Sequence, residues 1–522
     1  MNMPKRPKCL YNHELLILFT SQTPYQSYRD PVCDAQAEGY VRELADTQVD
    51  ALMCCPTGWR AVLWPSEVDP RWRNEDLDVC PPTGPCDLTY YERAYWRMRE
   101  YMITGADPVR VTRDTARDIG LDFFISYRMN DHHHLWIDDC PTHDRFWREH
   151  PEFHMPGSRV AYLNYMHKEV REYYAALLTE LVEKYDPEGV ELDFMRSPHF
   201  FPNDCLAQGL SLMTEFVRNI REMLDRTGAE GEHKLLSVRV PRSLDEARQA
   251  GLDVATWDVE ELVDMVNVSP YFIATQEIDI ESYRKHVVNA SIYAEMHFIT
   301  DTQRPHPSGH SNNYSQKTTP LQYETLAHDF WQRGVDGISF FNFAYCREHH
   351  MGDPRRRGMP GVEPPFDMLR TVCDPPYLAE RPKHFFVNSN FDRLQRTVGA
   401  GSEASVTLDI RLPEGSGFMD AMLRIENDGE LWGTGYEVAL NGHALAPSPF
   451  IGELFPPFTR ESLPVPRHTQ NYRVPVDFIE LGENVITLMR PAKATSSVTL
   501  RWRRLELALY PYTLPGSMTG AH

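Results

Sequence analysis

Two short apolar segments carry acidic residues whose spacing could support catalysis. Glu191 and Asp193 are two positions apart in GVELDF, and Glu295 is the acid of SIYAEM. If GVELDF is a β-strand, both of its acids point to the same face, because successive side chains alternate. Carboxylates on an inner face are costly unless they are paired or have a function. Two carboxyl groups facing one glycosidic bond can hydrolyse it.

Asp193 and Glu295 form the predicted catalytic pair. Asp193 lies nearer the end of its segment, so Glu191 is expected deeper, as a hydrogen-bonded structural acid or a substrate contact. In a double displacement, Glu295 would attack the anomeric carbon and Asp193 would protonate the leaving oxygen, and the reverse assignment stays open. The alternative for each acid is a buried ion pair with an arginine.

Other polar and aromatic residues follow or end similar segments. Converging arginines would bind a carboxylate or sulfate through forked hydrogen bonds, although salt-bridged or helix-capping arginines are the alternative. Aromatic rings could stack on sugars or pack within loops. Arg242, Trp136, His199 and Phe343 are additional candidates of these kinds. The predicted substrate-binding residues are Trp59, Arg60, Arg128, Asn130, Asp131, His132, Glu191, Arg196, Arg239, Asn267, Tyr271, His297 and Asn342.

The run of three histidines raises the question of a metal. Adjacent side chains on an extended chain point apart, so His132 and His134 could share an ion with Asp131, but His133 could not. Neither an HExxH motif nor a matching distant cluster supports such a site. No metal or other cofactor is therefore expected, and a metal-dependent hydrolase is kept as an alternative.

The elements that would position these residues alternate in type over about 350 residues. Short apolar runs and helical patterns follow one another, which predicts an α/β fold, a (β/α)₈ barrel with its site at the strand carboxyl ends. An open doubly wound sheet usually has a glycine-rich phosphate loop, and no GxGxxG or Walker motif occurs. The predicted strands are Leu15–Thr20, Val49–Cys54, Leu121–Tyr127, Gly189–Phe194, Leu235–Val240, Val263–Val268, Ser291–Met296 and Gly337–Asn342.

A different pattern begins near residue 402. SVTLDIRL, NVITLMR and SVTLRWRRLELALY alternate between apolar and polar residues and are separated by turns, which predicts an antiparallel β-sandwich. The stretch Pro354–Pro382 is rich in Pro and Arg, as linkers and long loops are. We therefore predict a catalytic barrel with its linker over residues 1–383 and an accessory β-sandwich over residues 384–522.

Several segments resemble a known family. FFISYRMNDHH, DPEGVELDFMRSPHFF, LLSVRVPRSLDEARQAGLDVATWDVEELVDMVNVSPY and GVDGISFFNF resemble the uncharacterised glycosyl-hydrolase-like barrels of the family 10-like group and its relatives in polysaccharide-degrading bacteria. The resemblance covers about residues 10–350 and implies a barrel glycosidase. By analogy with other barrel glycosidases, Asp193 matches a catalytic acid on strand four and Glu295 one on strand seven. FIELGENVITLMR resembles galactose-binding-like β-sandwiches.

Charge and hydropathy restrict the partners and the compartment. Lys plus Arg is 53 and Asp plus Glu is 75, a net charge of −22 that argues against nucleic acids and anionic membrane surfaces. The apolar run Leu15–Phe19 is too short for a secretory signal, and no longer run could span a membrane. A cytoplasmic location is expected, or a periplasmic one if a signal has been removed.

The combined prediction is a glycoside hydrolase, retaining in mechanism, for a polysaccharide-derived oligosaccharide that can carry uronate or sulfate groups. A carbohydrate-binding protein without turnover is the alternative from another functional class. The expected partner is the carbohydrate substrate, with no nucleic acid and no membrane, and a homo-oligomer is compatible with the sequence.

Overall fold

The structure is a computed structural model that divides the chain into two compact units. The first comprises Met1–Tyr271, Glu277–Phe298 and Val335–Phe366, and the second Phe272–Gln276, Ile299–Gly334 and Asp367–His522. The predicted domain boundary after residue 383 stays a prediction. The residues described are 5–21, 30–72, 90–137, 140–228, 233–304, 314–347, 362–388, 397–412, 417–427, 430, 435–449, 454–455, 466–493 and 500–511.

The first unit contains a closed barrel of parallel strands, which confirms the predicted fold class. Its strands pair side by side in chain order, and the eighth closes the barrel against the first through Cys9↔Ile338 and Leu10↔Ser339. Within the described ranges, barrel strands one to eight are Cys9–Glu14, Ala51–Cys55, Asp122–Arg128, Gly189–Asp193, Leu235–Pro241, Met265–Ser269, Ser291–His297 and Gly337–Phe341.

Strand one is where the sequence-based prediction was wrong. The predicted strand Leu15–Thr20 lies beyond the barrel strand Cys9–Glu14, and Ile17–Thr20 forms a short helix. The apolar run is buried on all sides, as a central strand would be. A short apolar run has the same composition in a buried strand and in a buried helix, which is why the prediction was wrong. Strand one itself carries polar residues at alternate positions because one of its faces lines the polar interior of the barrel.

Helices follow the strands, as the alternating pattern predicts. The predicted helix from residue 166 is observed as Lys168–Tyr185, which buries the stripe Val170, Tyr174, Leu177 and Leu181. The α-helices are Ile17–Thr20, Asp34–Arg42, Tyr90–Met102, Pro108–Asp118, Arg145–Glu149, Lys168–Tyr185, Leu206–Thr227, Leu244–Gln249, Val254–Val259, Ile280–His286, Pro320–Gln332 and Pro375–Glu380. The 3₁₀ helices are Pro151–Phe153, Asn203–Cys205, Phe343–Arg347, Phe366–Arg370, Pro466–His468 and Val476–Phe478. No helix in the described part of the chain is long and apolar enough to cross a membrane.

The barrel interior changes from apolar to polar along the strands. Gly189 makes room for an aromatic ring in the lower layer, since a Cβ there would lie 2.3 Å from Phe124 Cε1 and 2.5 Å from the Leu235 carbonyl oxygen. The apolar layer consists of Leu10, Ala51, Met53, Phe124, Leu235, Met265 and Tyr293. Two positions further along the strands, the inward residues include Ser126, Glu191, Ser237, Asn267 and Ser339.

The second unit contains two antiparallel sheets around one core, as predicted for the C-terminal region. Val406 and Ile486 of one sheet share that core with Leu423 and Leu507 of the other. The larger sheet comprises Lys383–Asn388, Thr397–Val398, Phe418–Asn427, Pro447–Ser448, Thr469–Val474 and Leu500–Pro511. The smaller comprises Glu403–Ile410, Glu437–Leu440, His443–Leu445 and Gly482–Met489. Short strand pairs elsewhere are Thr57–Gly58 with Ala61–Val62, and Ile299–Arg304 with Tyr314–Lys317.

Candidate active site

Glu191 occupies the polar middle of the barrel, deeper than Asp193, as predicted from their order on strand four. Its carboxylate accepts hydrogen bonds from Ser126 Oγ (2.8 Å), Ser237 Oγ (3.2 Å) and Asn267 Nδ2 (3.2 Å). Burial, and then the nearby charge of Asp193, raise its pKa from the ordinary 4.5 to about 7. Glu191 is therefore largely neutral below neutral pH.

Arg239 joins the two predicted catalytic acids. Its Nη1 donates to Asp193 Oδ1 at 2.8 Å, while Nε and Nη2 donate to the two oxygens of Glu295 at 2.5 and 2.8 Å. Nη2 also donates to Ser269 Oγ at 3.0 Å, and the guanidinium lies 3.6 Å from the centre of the Phe341 ring. The three ionisable side chains are each at most 2% exposed. This cluster fixes the two acids of strands four and seven relative to each other.

The two carboxylates of this cluster differ in how many of their oxygen atoms already accept hydrogen bonds. Both hydrogen bonds that Asp193 receives from described residues, from Arg239 and from the Met195 amide, end on Oδ1, which leaves Oδ2 for another group. Both oxygens of Glu295 are already bonded, and Ser269 Oγ donates to Oε1 at 2.6 Å. Burial raises the pKa of Glu295, and Arg239 only partly opposes that effect.

A second cluster surrounds Arg128, which precedes the loop after strand three. Its Nη2 lies 2.6 Å from Glu14 Oε2, and its Nη1 lies 3.1 Å from Asp131 Oδ2. Asp131 Oδ1 accepts from the His133 amide at 2.8 Å and lies 2.6 Å from His133 Nδ1. Burial would raise the pKa of Asp131, but the neighbouring His133, Arg128 and Arg196 outweigh it and hold that pKa well below its usual range.

The histidine run is engaged with the loop after strand four. His132 Nδ1 lies 3.0 Å from both the Arg196 carbonyl oxygen and Ser197 Oγ. His133 contacts the Arg196 guanidinium, and its ring stacks on His132. The pKa of His133 is lowered by burial and by Arg196. In the described part of the chain, no group of three or more His, Cys, Asp or Glu residues is arranged to hold a metal ion.

Trp59 and Arg60 follow strand two and pack into the same region. Arg60 Nε donates to Asp144 Oδ2 at 2.6 Å, and Nη1 donates to the Asp131 carbonyl oxygen at 2.5 Å. Trp59 packs edge-on against His134, with ring centres 4.7 Å apart. A small cavity with room for about one water molecule is too small for a sugar ring. It is lined by Thr57, Trp59, Arg60, Tyr127, Arg128, Asp131, Asp144, Tyr173 and Tyr174.

Three further predicted substrate-binding residues make contacts within the protein: Asn130, Asn267 and His297. Asn130 Nδ2 donates to the carbonyl oxygens of Leu163 (3.0 Å) and His199 (2.7 Å), which ties two loops together. Asn267 Nδ2 donates to Glu191 and, at 3.2 Å, to Ser339 Oγ. The His297 ring is fully buried and packs near Phe298 and Phe341.

Unusual backbone conformations occur after several barrel strands. Trp59, His134, Tyr271 and Asn342 have φ values of 56°, 62°, 64° and 53°. Residues other than glycine rarely adopt this left-handed backbone conformation, and such strained residues concentrate at functional sites. The Tyr271 amide donates to Ser269 Oγ at 3.1 Å, and its hydroxyl donates to the Arg196 carbonyl oxygen at 3.3 Å. The carboxyl end of the barrel is therefore the strongest candidate for the site.

The structure brings most predicted site residues to this end, but their partners differ from the expectation. Arg60, Arg128 and Arg239 each pair with a buried acid of the chain, which matches the alternative considered for the arginines. Arg242 pairs with Glu246, and both side chains are over one-third exposed. Trp136 is 60% exposed, whereas Phe343 is fully buried against Tyr11 and Phe340.

Sequence reasoning missed Glu14, the last residue of strand one. Its Oε2 accepts from Tyr345 Oη and pairs with Arg128 Nη2, both at 2.6 Å. The signal that could have revealed it is the alternation Leu10, Asn12, Glu14, in which an apolar residue of the lower layer is followed by two polar ones on the same face. Because strand one was predicted at Leu15–Thr20, the alternation within Cys9–Glu14 was not recognised.

Comparisons with known proteins leave the family open. No family model matches the chain, and no curated protein matches its sequence. Among solved structures, an Anoxybacillus alpha-amylase has 10% identity over 98% of this chain and 99% of that one, with a TM-score of 0.38. Alpha-L-fucosidase isoenzyme 1 from Paenibacillus thiaminolyticus has 13% identity over 92% and 96%, with a TM-score of 0.37.

A third solved structure is longer than this chain. The chain spans 57% of the cycloisomaltooligosaccharide glucanotransferase from Paenibacillus sp., which covers 97% of this chain at 9% identity with a TM-score of 0.30. Identities and TM-scores this low assign neither a family nor a reaction. The resemblance to the family 10-like group therefore stays a prediction.

Proposed function

We propose that this protein is a glycoside hydrolase that uses Asp193 and Glu295 at the carboxyl end of the barrel. The observation that carries the proposal is the guanidinium of Arg239, which binds both acids at 2.5–2.8 Å. A two-carboxylate mechanism requires two acids held in a fixed relation on rigid elements. Strands four and seven of a closed barrel are such elements.

The contacts favour the assignment in which Asp193 is the nucleophile or base and Glu295 the acid. Arg239 and the Met195 amide both donate to Asp193 Oδ1, so Oδ2 remains for the anomeric carbon or a water. Glu295 is buried, and its raised pKa suits a proton donor. This order is the reverse of the first one predicted from the sequence, which is compatible with both.

The proposed substrate is a polysaccharide-derived oligosaccharide. A uronate or sulfate on that substrate has less support than the sugar itself, because Arg60, Arg128 and Arg239 already pair with acids of the chain. Neutral and uronate-containing glycans should therefore be tested side by side.

The test is glycan hydrolysis by the wild type and by Asp193→Asn, Glu295→Gln and the exposed control Asp204→Asn. The first two variants should lose about 10³-fold in turnover, the range expected for an acid or base group, and the control should keep wild-type turnover. Wild-type turnover in both Asp193→Asn and Glu295→Gln would refute the assignment. The anomer first released, followed by NMR, distinguishes retention from inversion.

A carbohydrate-binding barrel without turnover is the second candidate, and one observation favours it. Glu295 is fully buried, and both of its oxygens are occupied by Arg239 and Ser269, as in a purely structural ion pair. This candidate predicts that a glycan binds to the wild type and that no product forms, even after prolonged incubation at high enzyme concentration. Product formed by the wild type and lost in Asp193→Asn rules it out.

A further inference from the structure

Glu14 has a buried oxygen atom that no described residue satisfies with a hydrogen bond. The residue is 4% exposed, and its Oε2 forms an ion pair with Arg128 and accepts a hydrogen bond from Tyr345 Oη. Its Oε1 is buried and has no hydrogen-bond partner among the described residues. A buried acceptor left without a donor is destabilising, and native proteins rarely keep one without a reason.

Asn342 has a second acceptor atom without a hydrogen bond, and it lies next to strand one, which ends at Glu14. It directly follows strand eight, the neighbour of strand one in the closed barrel. Asn342 is 7% exposed, and its Oδ1 is buried without a partner in the described part of the chain. Its backbone has a φ of 53°. Left-handed backbone at a non-glycine residue is a strain that commonly marks a ligand site.

Tyr345 connects these two residues. Its amide donates to the Asn342 carbonyl oxygen at 3.0 Å, and its hydroxyl donates to Glu14 Oε2 at 2.6 Å. The 3₁₀ helix Phe343–Arg347 therefore holds the end of strand eight against the end of strand one. Both ends lie at the face of the barrel that carries Asp193.

We propose that Glu14 and Asn342 form a subsite that binds hydroxyl groups of a neutral sugar residue. Both unsatisfied atoms are acceptors, so the missing partner is a donor, and sugar hydroxyls are the donors that a glycoside hydrolase substrate supplies. A carboxylate or sulfate oxygen placed against either atom would bring two acceptors together with no hydrogen between them. The inference rests on the proposed function and adds a specificity: the sugar at this position is neutral.

The key variant is Glu14→Gln, because it keeps the volume and changes the hydrogen-bonding type of one atom. The amide oxygen can still accept from Arg128 and Tyr345, while an NH₂ donor replaces Oε1. The matched control is Glu43→Gln. Glu43 also pairs with a buried arginine, Arg347, but both of its oxygens are bonded, at 2.8 and 2.7 Å.

Binding should be measured by calorimetry with maltohexaose, cellohexaose, xylohexaose, chitohexaose and hexagalacturonate as probes. At least one neutral hexasaccharide should bind the wild type, and Glu14→Gln should weaken it about 10- to 100-fold, the effect of losing one hydrogen bond to a charged acceptor. Glu43→Gln should bind as the wild type does. Asn342→Gly, which tolerates the left-handed backbone, should also weaken binding and tests the subsite even if Glu14→Gln does not fold.

Wild-type affinity in Glu14→Gln and in Asn342→Gly would overturn the inference. So would a wild type that binds hexagalacturonate alone, or none of the probes. Failure of the proposed function gives a different result, because neutral glycans would then bind in a Glu14-dependent manner without any product being formed.

Discussion

Replacing Glu191 by Gln should stabilise the protein relative to the wild type progressively as the pH rises from about 4.5 to about 7. Burial among Ser126, Ser237 and Asn267, and then the charge of Asp193, raise the pKa of Glu191 from 4.5 to about 7. The unfolded chain ionises this carboxyl near pH 4.5, but the folded protein resists ionisation up to about pH 7. Wild-type stability therefore falls as the pH rises through that window.

The size of the effect follows from the same shift. A rise of the pKa from 4.5 to about 7 corresponds to roughly 3 kcal/mol of unfolding free energy, which the wild type has lost once the pH exceeds 7. Glutamine cannot ionise and avoids that loss. The stability difference between Glu191→Gln and the wild type should therefore grow by about 3 kcal/mol between pH 4 and pH 8, in favour of the variant.

The assay is urea unfolding followed by tryptophan fluorescence at pH 4, 5, 6, 7 and 8. Glu183→Gln, an exposed substitution on the helix Lys168–Tyr185, is the control and should show no such trend. A pH-independent difference between Glu191→Gln and the wild type would refute the reasoning. It would mean that Ser126, Ser237 and Asn267 stabilise the ionised carboxylate as well as water does.

Two further predictions concern the two compact units separately. Gly189→Ala should lower stability by about 1–3 kcal/mol, because its Cβ would meet Phe124 and the Leu235 carbonyl. Gly417→Ala, with open space around it, should melt like the wild type, and equal melting of both variants would contradict this packing. Burial would raise the pKa of Glu506, but Arg504 and His384 hold it below its usual value. Glu506→Gln should therefore cost about 3–5 kcal/mol in thermal unfolding near pH 7, and less as the pH falls below about 4.5; a constant or growing cost on acidification would refute that pairing.

Seven barrel strands were predictable because each is a short apolar run bounded by turns and helical patterns. Gly189–Asp193 and Ser291–His297 lie within a residue or so of their predicted bounds. The exception, strand one, shows the limit of this signal. Leu15–Phe19 has the composition of a buried strand but is buried by other contacts, whereas Cys9–Glu14 gains its strand partners only when the barrel closes against Ala51–Cys55 and Gly337–Phe341.

The positions of the acids were also predictable, because alternation along a strand determines the face on which Glu191, Asp193 and Glu295 lie. Their electrostatic state was not. Glu295 and Asp193 are 102 positions apart in the sequence, and no local pattern shows that Arg239 binds both of them. Barrel closure brings the three side chains together, and burial then makes the pairing decisive because water no longer screens the charges.

The order of residues is enough to predict the fold class, the end of the barrel that carries the polar residues, and the candidate acids on strands four and seven. Which groups are neutralised inside the protein, and which atoms remain without a hydrogen bond, depends on the folded barrel. Most of the arginines that looked available for an anionic sugar are paired with acids. By contrast, Glu14 and Asn342 each keep one acceptor atom that no described residue pairs with. The reason is physical: hydrogen bonds form between atoms close in space, and the closed barrel, not the order of residues along the chain, sets those distances.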